Sequence, residues 1–183
     1  RLQSSPRHNK NLLFISGMLV FFILIAKFSD TLAGSMTQQT PFSVPASSIY
    51  FGIPIPSGAM AVCLFLGLRV AAPFAMILAT CTALMLQNRL DMFVFFLINS
   101  SMAAFWVQNC RERKVFIKAG LKLGLLNVIL ASGISIYTGE YGGFKLLWVW
   151  AFAFMGGIGA GIVTAGFAPL LEIAFGYSTD ITL

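Results

Sequence analysis

The chain has 183 residues, of which 58% are hydrophobic and 10% charged, with a mean hydropathy of +0.86; soluble domains carry roughly 25% charged residues. This composition excludes an ordinary soluble enzyme. It also removes the nucleic-acid reading that a net charge of +6 would otherwise invite, because basic excess in a membrane protein belongs in cytoplasmic loops that face anionic lipid. The three cysteines, Cys63, Cys81 and Cys110, form no CxxC pair, so neither a disulfide framework nor a zinc site is supported.

The chain opens on Arg1, which reads as a processed or excised piece. Its lead-in, RLQSSPRHNK, precedes an apolar run with no small-residue cleavage site at the far end, so no signal peptide is expected. Crossing a bilayer takes about 20 mostly apolar residues, and six segments come close: about 12–33, 49–68, 70–87, 92–108, 119–137 and 146–171. The expected fold class is therefore all-α, a polytopic transmembrane helical bundle occupying residues 1–183.

In the first segment Lys27 and Asp30 stand three apart, on one helix face near its end. Such a pair is either an intramembrane ion or proton site or an interfacial pair whose lysine reaches the headgroups; the second reading is preferred. The loop that follows, GSMTQQTPFSVPASS, is the longest and carries no charge. In the second segment Pro54 and Pro56 remove amide donors, and Gly52 and Gly58 flank them. A discontinuous helix lining a cavity would look like this, but a kinked entry at the interface is the simpler expectation.

The third segment carries an alanine stripe at four-residue spacing, Ala71, Ala75, Ala79 and Ala83. The fourth, MFVFFLINSSMAAFWV, is short and holds Asn99, Ser100 and Ser101 near its middle. Before the fifth lies RERKVFIKAGLK, in which Arg111, Lys114, Lys118 and Lys122 fall on one helical face. That face is either a lipid-binding anchor or a docking surface for a cytoplasmic domain or an anionic nucleotide. Gly120 and Gly124 then form a GxxxG, and Gly157, Gly161 and Ala165 repeat the spacing in the sixth segment. Small residues let helices approach closely where no hydrophobic effect operates, so these residues are expected to pack, within the bundle or across a homodimer. Asn99 and Asn127 are expected to make interhelical hydrogen bonds. The sixth segment is long: about 26 residues at 1.5 Å each exceed a core of about 30 Å, so it must tilt, protrude, or bend at MGGIGAG or Pro169.

With a cytoplasmic N-terminus, nine of the 12 Lys and Arg residues lie inside; Lys27, Arg89 and Lys145 lie outside. Six crossings then place both ends in the cytoplasm. Catalytic candidates are lacking. The one histidine, His8, sits in the polar lead-in, no acidic, histidine or cysteine cluster has metal-ligand spacing, and GGIGAG lies inside an apolar helix rather than after a strand.

The closing stretch PLLEIAFGYSTDITL resembles the end of the membrane domain in bacterial seven-transmembrane receptors with an intracellular HD hydrolase domain, a family that includes the PgpH-type cyclic di-AMP phosphodiesterases. Pro169, Leu170, Glu172, Phe175, Gly176, Thr179, Asp180 and Ile181 carry that resemblance. RERKVFIKAGLKLGLLN is similar to the family's basic loop, with Arg113, Ala119, Gly120 and Asn127 in order, and IPIPSGAM to its proline-containing segment.

The resemblance implies six of the family's seven membrane helices in a bacterial cytoplasmic membrane. A further helix and a large extracellular domain are expected before Arg1, and an HD domain after Leu183. It implies that the catalytic histidines and aspartates, with two iron or manganese ions, belong to that HD domain. No catalytic, cofactor-binding or metal-binding residue is then expected in this chain itself. Its partners would be the bilayer, its own extracellular and HD domains and a second copy, with no nucleic-acid polymer. Residues 172–183 would begin the junction, and Pro169, Glu172, Phe175, Gly176, Thr179 and Asp180 would transmit a signal through it. Alternatively, Glu172 pairs with the basic face around Lys118. A rival reading is the substrate-binding subunit of a vitamin importer, although the first helix lacks the small-residue docking face expected there; a plain anchor is a third.

Overall fold

The computed structural model describes residues 6–39, 46–86, 89–108, 114–139 and 142–175. The side chains of residues 6–8, 36–39, 46, 114, 174 and 175 fall outside that description. Its elements are all helical: α1 (Pro6–Gln39), α2 (Ala46–Phe51), α3 (Pro56–Leu66), α4 (Leu68–Met85), α5 (Leu90–Val107), α6 (Lys114–Thr138) and α7 (Phe144–Phe175). Six spans are long and apolar enough to cross a membrane, as the hydropathy pattern predicts. There are seven helices because the second span, Ser47–Leu66, is broken into α2 and α3.

Position in the bundle separates the spans more sharply than hydropathy does. Two-thirds (67%) of the second span is buried, against 22% to 44% in the other five. The broken span is the centre. Around it α1, α4, α5, α6 and α7 form a ring in which each packs on its neighbour, and Phe21 of α1 meets Phe167 of α7 at 5.2 Å between ring centroids. Leu13, Leu24 and Phe28 on α1, and Leu125, Ile129, Met155 and Ile162 on α6 and α7, face outward. Such residues suit lipid, which is as apolar as they are.

Three contacts at regular intervals register α1 against the central span. Phe14 meets Phe65 edge-on at 5.7 Å, the Phe22 ring covers Gly58, and Tyr50 bonds to Asp30. On α4 the stripe Ala71, Ala75, Ala79 and Ala83 is buried where the helix packs on α1, α3 and α5. Two ends of the bundle can be told apart: one carries Lys27, Asp30, Arg89 and Asp91, the other Arg69, Lys118, Lys122 and Glu172. They are called the Arg89 end and the Lys122 end.

Gly67 joins α3 to α4 with φ of 81°, its N–H bonded to the Cys63 carbonyl at 2.9 Å. A Cβ there would touch nothing within 4 Å, so the glycine is required by backbone angle and not by space. With ψ of 169° this is an extended, positive-φ region open essentially to glycine alone. Gly67→Ala is therefore expected to cost about 1–3 kcal/mol, measurable as a lower unfolding midpoint in detergent with helical content unchanged.

The α6–α7 pair is the tightest in the molecule. Gly120 faces Gly157 and Gly161, and Gly124 faces Gly157 so closely that an added methyl would overlap backbone. Farther along, the Asn127 amide donates to the Ala153 carbonyl at 3.0 Å, and the Trp150 indole donates to the Ser132 hydroxyl at 2.8 Å. Ala165, from the same small-residue pattern, is half-buried on α7 beside the Met60–Phe116–Leu123 cluster.

At 32 residues, α7 is about 48 Å long, well beyond a core of about 30 Å. Pro169 lies inside this helix without ending it.

Candidate functional site

The break in the central span is a four-residue stretch, Gly52 to Ile55. Gly52 N–H bonds to the Ile49 carbonyl (3.0 Å), Ile53 N–H to Tyr50 (3.3 Å) and Ile55 N–H to Ile53 (2.9 Å). Beyond Pro54 and Pro56, which have no N–H, Ser57 restarts the helix by donating its own N–H (3.2 Å) and hydroxyl (2.6 Å) to the Pro54 carbonyl. None of these bonds uses the carbonyls of Phe51 or Gly52.

Irregular backbone at membrane depth persists only where protein or a water-lined cavity encloses it, and here the walls are protein. A Cβ on Gly156 of α7 would come within 2.5 Å of the Phe51 carbonyl oxygen and 3.0 Å of Gly52 Cα. The Phe152 ring covers Gly52 on the same side, and the Phe95 ring of α5 meets Phe51 at 4.9 Å. The break lies near the start of its span, two residues after Tyr50, and it is enclosed by neighbouring helices, with Ile53 and Ile55 buried.

The polar groups of α5 lie beside it. Phe95 touches Phe51 before the break, and the Cys63 thiol donates to the Ala104 carbonyl after it, at 3.2 Å. Asn99 and Ser100 lie between those two contacts on α5. Both are fully buried. Neither amide atom of Asn99 nor the Ser100 hydroxyl has a hydrogen-bond partner, and the same holds for the buried hydroxyls of Ser48 and Thr82. The expectation for Asn127 holds, since its amide bridges α6 and α7. For Asn99 it is corrected: the residue joins no helices. A buried, unpartnered amide offers hydrogen-bonding capacity without charge. It can hold water or a neutral polar guest, or serve a second arrangement of the helices; it cannot supply a nucleophile with a base.

At the Arg89 end, Asp30 joins two partners. Lys27 approaches it at 3.7 Å, and the Tyr50 hydroxyl donates to it at 3.0 Å. Lys27 is largely exposed, so the pair has the form expected of an interfacial one, with Tyr50 as a partner that sequence spacing does not reveal. Arg89 holds Asp91 through both Nε (3.2 Å) and Nη2 (2.6 Å). Among the described residues these are the only two ion pairs.

At the Lys122 end, Lys118 and Lys122 are exposed, and the Lys122 ammonium stands 6.0 Å from the centre of the Trp106 ring, at the limit of a cation–π contact. Lys114 begins α6, while Arg111 lies outside the described residues. Of the junction, Pro169 and Glu172 are half-buried on α7 and Phe175 ends it; Gly176, Thr179 and Asp180 lie outside the described residues. Glu172 makes no ion pair with Lys118. Among the described residues, no three His, Cys, Asp or Glu side chains converge on a point.

A ring of long apolar helices around a discontinuous central span, with α7 against the break, defines a multi-pass helical membrane protein. The chain belongs to the family described as 7TM receptor with intracellular HD hydrolase, whose model matches residues 2–179. No curated protein and no solved structure matches it.

Proposed function

We propose that this chain is the membrane sensory and regulatory domain of an HD-type cyclic di-AMP phosphodiesterase, which relays an external or bilayer signal to a C-terminal catalytic domain. The observation that supports it best is the double contact of α7. One glycine, Gly156, seats the helix against the break in the central span, and the next, Gly157, seats it against α6. The helix then continues through Pro169 and Glu172 to Phe175, in a stretch matched by the family to residue 179. A change at the break must displace α7 or be resisted by it, and α7 leads toward the junction. The family match favours this receptor reading over an importer subunit.

In this reading the Lys122 end is cytoplasmic, and Lys118 and Lys122, with Arg111 and Lys114, face anionic lipid or the HD domain. The metal pair, iron or manganese, belongs to the HD domain, and this chain contributes none of its ligands. The protein sits in the bacterial cytoplasmic membrane, alone or as a homodimer.

The test is hydrolysis of cyclic di-AMP, with manganese, by this chain and by the natural full-length protein. Activity confined to the full-length form is expected. In that form Gly156→Leu, which forces α7 off the break, should lower the unfolding midpoint and, in the protein that remains folded, leave a rate that no longer responds to membrane composition. Full-length protein without hydrolysis would remove the reading; unchanged responsiveness in the Gly156 variant would remove the route through α7.

A further inference from the structure

Two clefts open on either side of Arg89. One, of about 470 Å³, lies between the start of α5 and the end of α6 and is walled by Asp91, Val94, Ile134 and Tyr137. The other, of about 380 Å³, lies between α4 and α5 and is walled by Ala83, Leu84 and Phe93. Arg89 and Leu90 belong to both. Leu90 is 75% exposed and Tyr137 86%, while Val94 and Leu84 are also exposed, so both clefts face the surroundings of the bundle rather than its interior. In a membrane those surroundings are lipid.

We propose that this place binds one phospholipid with a zwitterionic ethanolamine headgroup, its phosphate on Arg89, its ammonium on Asp91, and one acyl chain in each cleft. Three features select that occupant. The cleft walls are mostly aliphatic and aromatic, which suits hydrocarbon. Two clefts diverge from one charged residue, which matches two chains leaving one headgroup.

The charges decide the third point. Arg89 and Asp91 form a neutral pair of fixed polarity, both partly buried, with side-chain exposures of 29% and 13%. A guanidinium has five N–H donors, and the bonds to Asp91 engage only Nε and Nη2. The remaining donors are free for a phosphate, which arginine recognises well. The Asp91 carboxylate keeps lone pairs for a cation that can donate hydrogen bonds. A primary ammonium does so; a quaternary choline cannot, and a glycerol headgroup has no cation to offer. Nearby, Lys27 and Asp30 add one further charge of each sign, and Lys145 at the start of α7 adds a single positive charge, so selection against an anionic lipid rests on the Asp91 carboxylate beside Arg89.

The experiment is native mass spectrometry of the chain in detergent, titrated with equimolar phosphatidylethanolamine, phosphatidylcholine and phosphatidylglycerol of identical acyl chains. One ethanolamine lipid should remain bound with about tenfold preference over each of the others. Arg89→Gln and Asp91→Asn should each abolish the preference. Val94→Trp, which fills the larger cleft without touching the ion pair, should weaken all three lipids while the unfolding midpoint stays put. Glycerophosphoethanolamine, the headgroup without chains, should fail to displace the bound lipid.

Equal retention of the three lipids overturns the proposal, as does preference for phosphatidylglycerol, which would make Arg89 a plain anion site. Undiminished preference in both charge variants overturns it too. Because Val94→Trp leaves the ion pair intact, a misfolded Arg89 variant does not protect the proposal from failure.

Discussion

Gly157→Ala should cost about 3 kcal/mol or more, a large effect for one methyl group. A Cβ at this position overlaps the Gly124 backbone nitrogen and Cα and the Leu123 carbonyl carbon. None of these atoms belongs to a flexible side chain that could move aside, so α6 and α7 must separate along the pair. Overpacking in a filled core typically costs 1–3 kcal/mol, and backbone overlap belongs at or above the top of that range. The control stands two residues away. A Cβ on Gly159 meets nothing within 4 Å, so Gly159→Ala should be neutral or slightly stabilising, since it only restricts the unfolded chain. Unfolding midpoints of the two variants, measured in the same detergent, decide the matter. Equal effects would mean that α6 and α7 are not packed glycine to glycine.

The second expectation runs against the usual direction of core substitutions. Asn99→Leu should stabilise the bundle by about 2 kcal/mol, because an apolar side chain of similar size removes two buried polar atoms that have no partner and whose desolvation is uncompensated. Asn127 supplies the contrast. Its Oδ1 is likewise unpartnered, but its amide bonds to Ala153. Asn127→Leu should therefore lose stability, by about 1 kcal/mol, as interhelical hydrogen bonds in membranes are worth. A loss of stability in the Asn99 variant would show that its amide is satisfied by interior water or a guest, turning the break into a binding site outright. In the full-length protein, a stabilised Asn99 variant with blunted signal response would show that the unpartnered amide serves function at the expense of stability.

The sequence carries the six spans clearly, because hydropathy is a local property and every linker is short. It also carries the small-residue spacings of α4, α6 and α7, since a four-residue repeat on a helix has one geometric meaning. Which span is central is not readable from hydropathy: the buried second span scores 1.8, inside the 1.6 to 2.3 covered by the others. Its signature is instead the small residues and prolines of FGIPIPSGAM, which let neighbours close in from all sides but give too little bulk to face lipid. Asn99 and Asn127 look alike in sequence, each an amide within a mostly apolar helix, and only the neighbouring helix distinguishes them. Pairings such as Tyr50 with Asp30 join residues 20 apart across an uncharged loop, where no periodicity connects them. The candidate Glu172–Lys118 pair was open on sequence grounds, and packing leaves the two side chains unjoined.

The enclosed break also sets an order on how the protein can be made. As synthesis proceeds, α2 and α3 emerge early, carrying two prolines and carbonyls that a lone helix in lipid would leave bare. The glycine that covers the Phe51 carbonyl arrives only with α7. Until α7 enters, the central span lacks a wall and depends on the insertion machinery or on early neighbours for shelter. Chains truncated before α7 should thus be recognised and degraded as unfinished, while those that reach it close around their own centre. Quality control in the cell would then read the docking of α7 as the sign that the central span is enclosed.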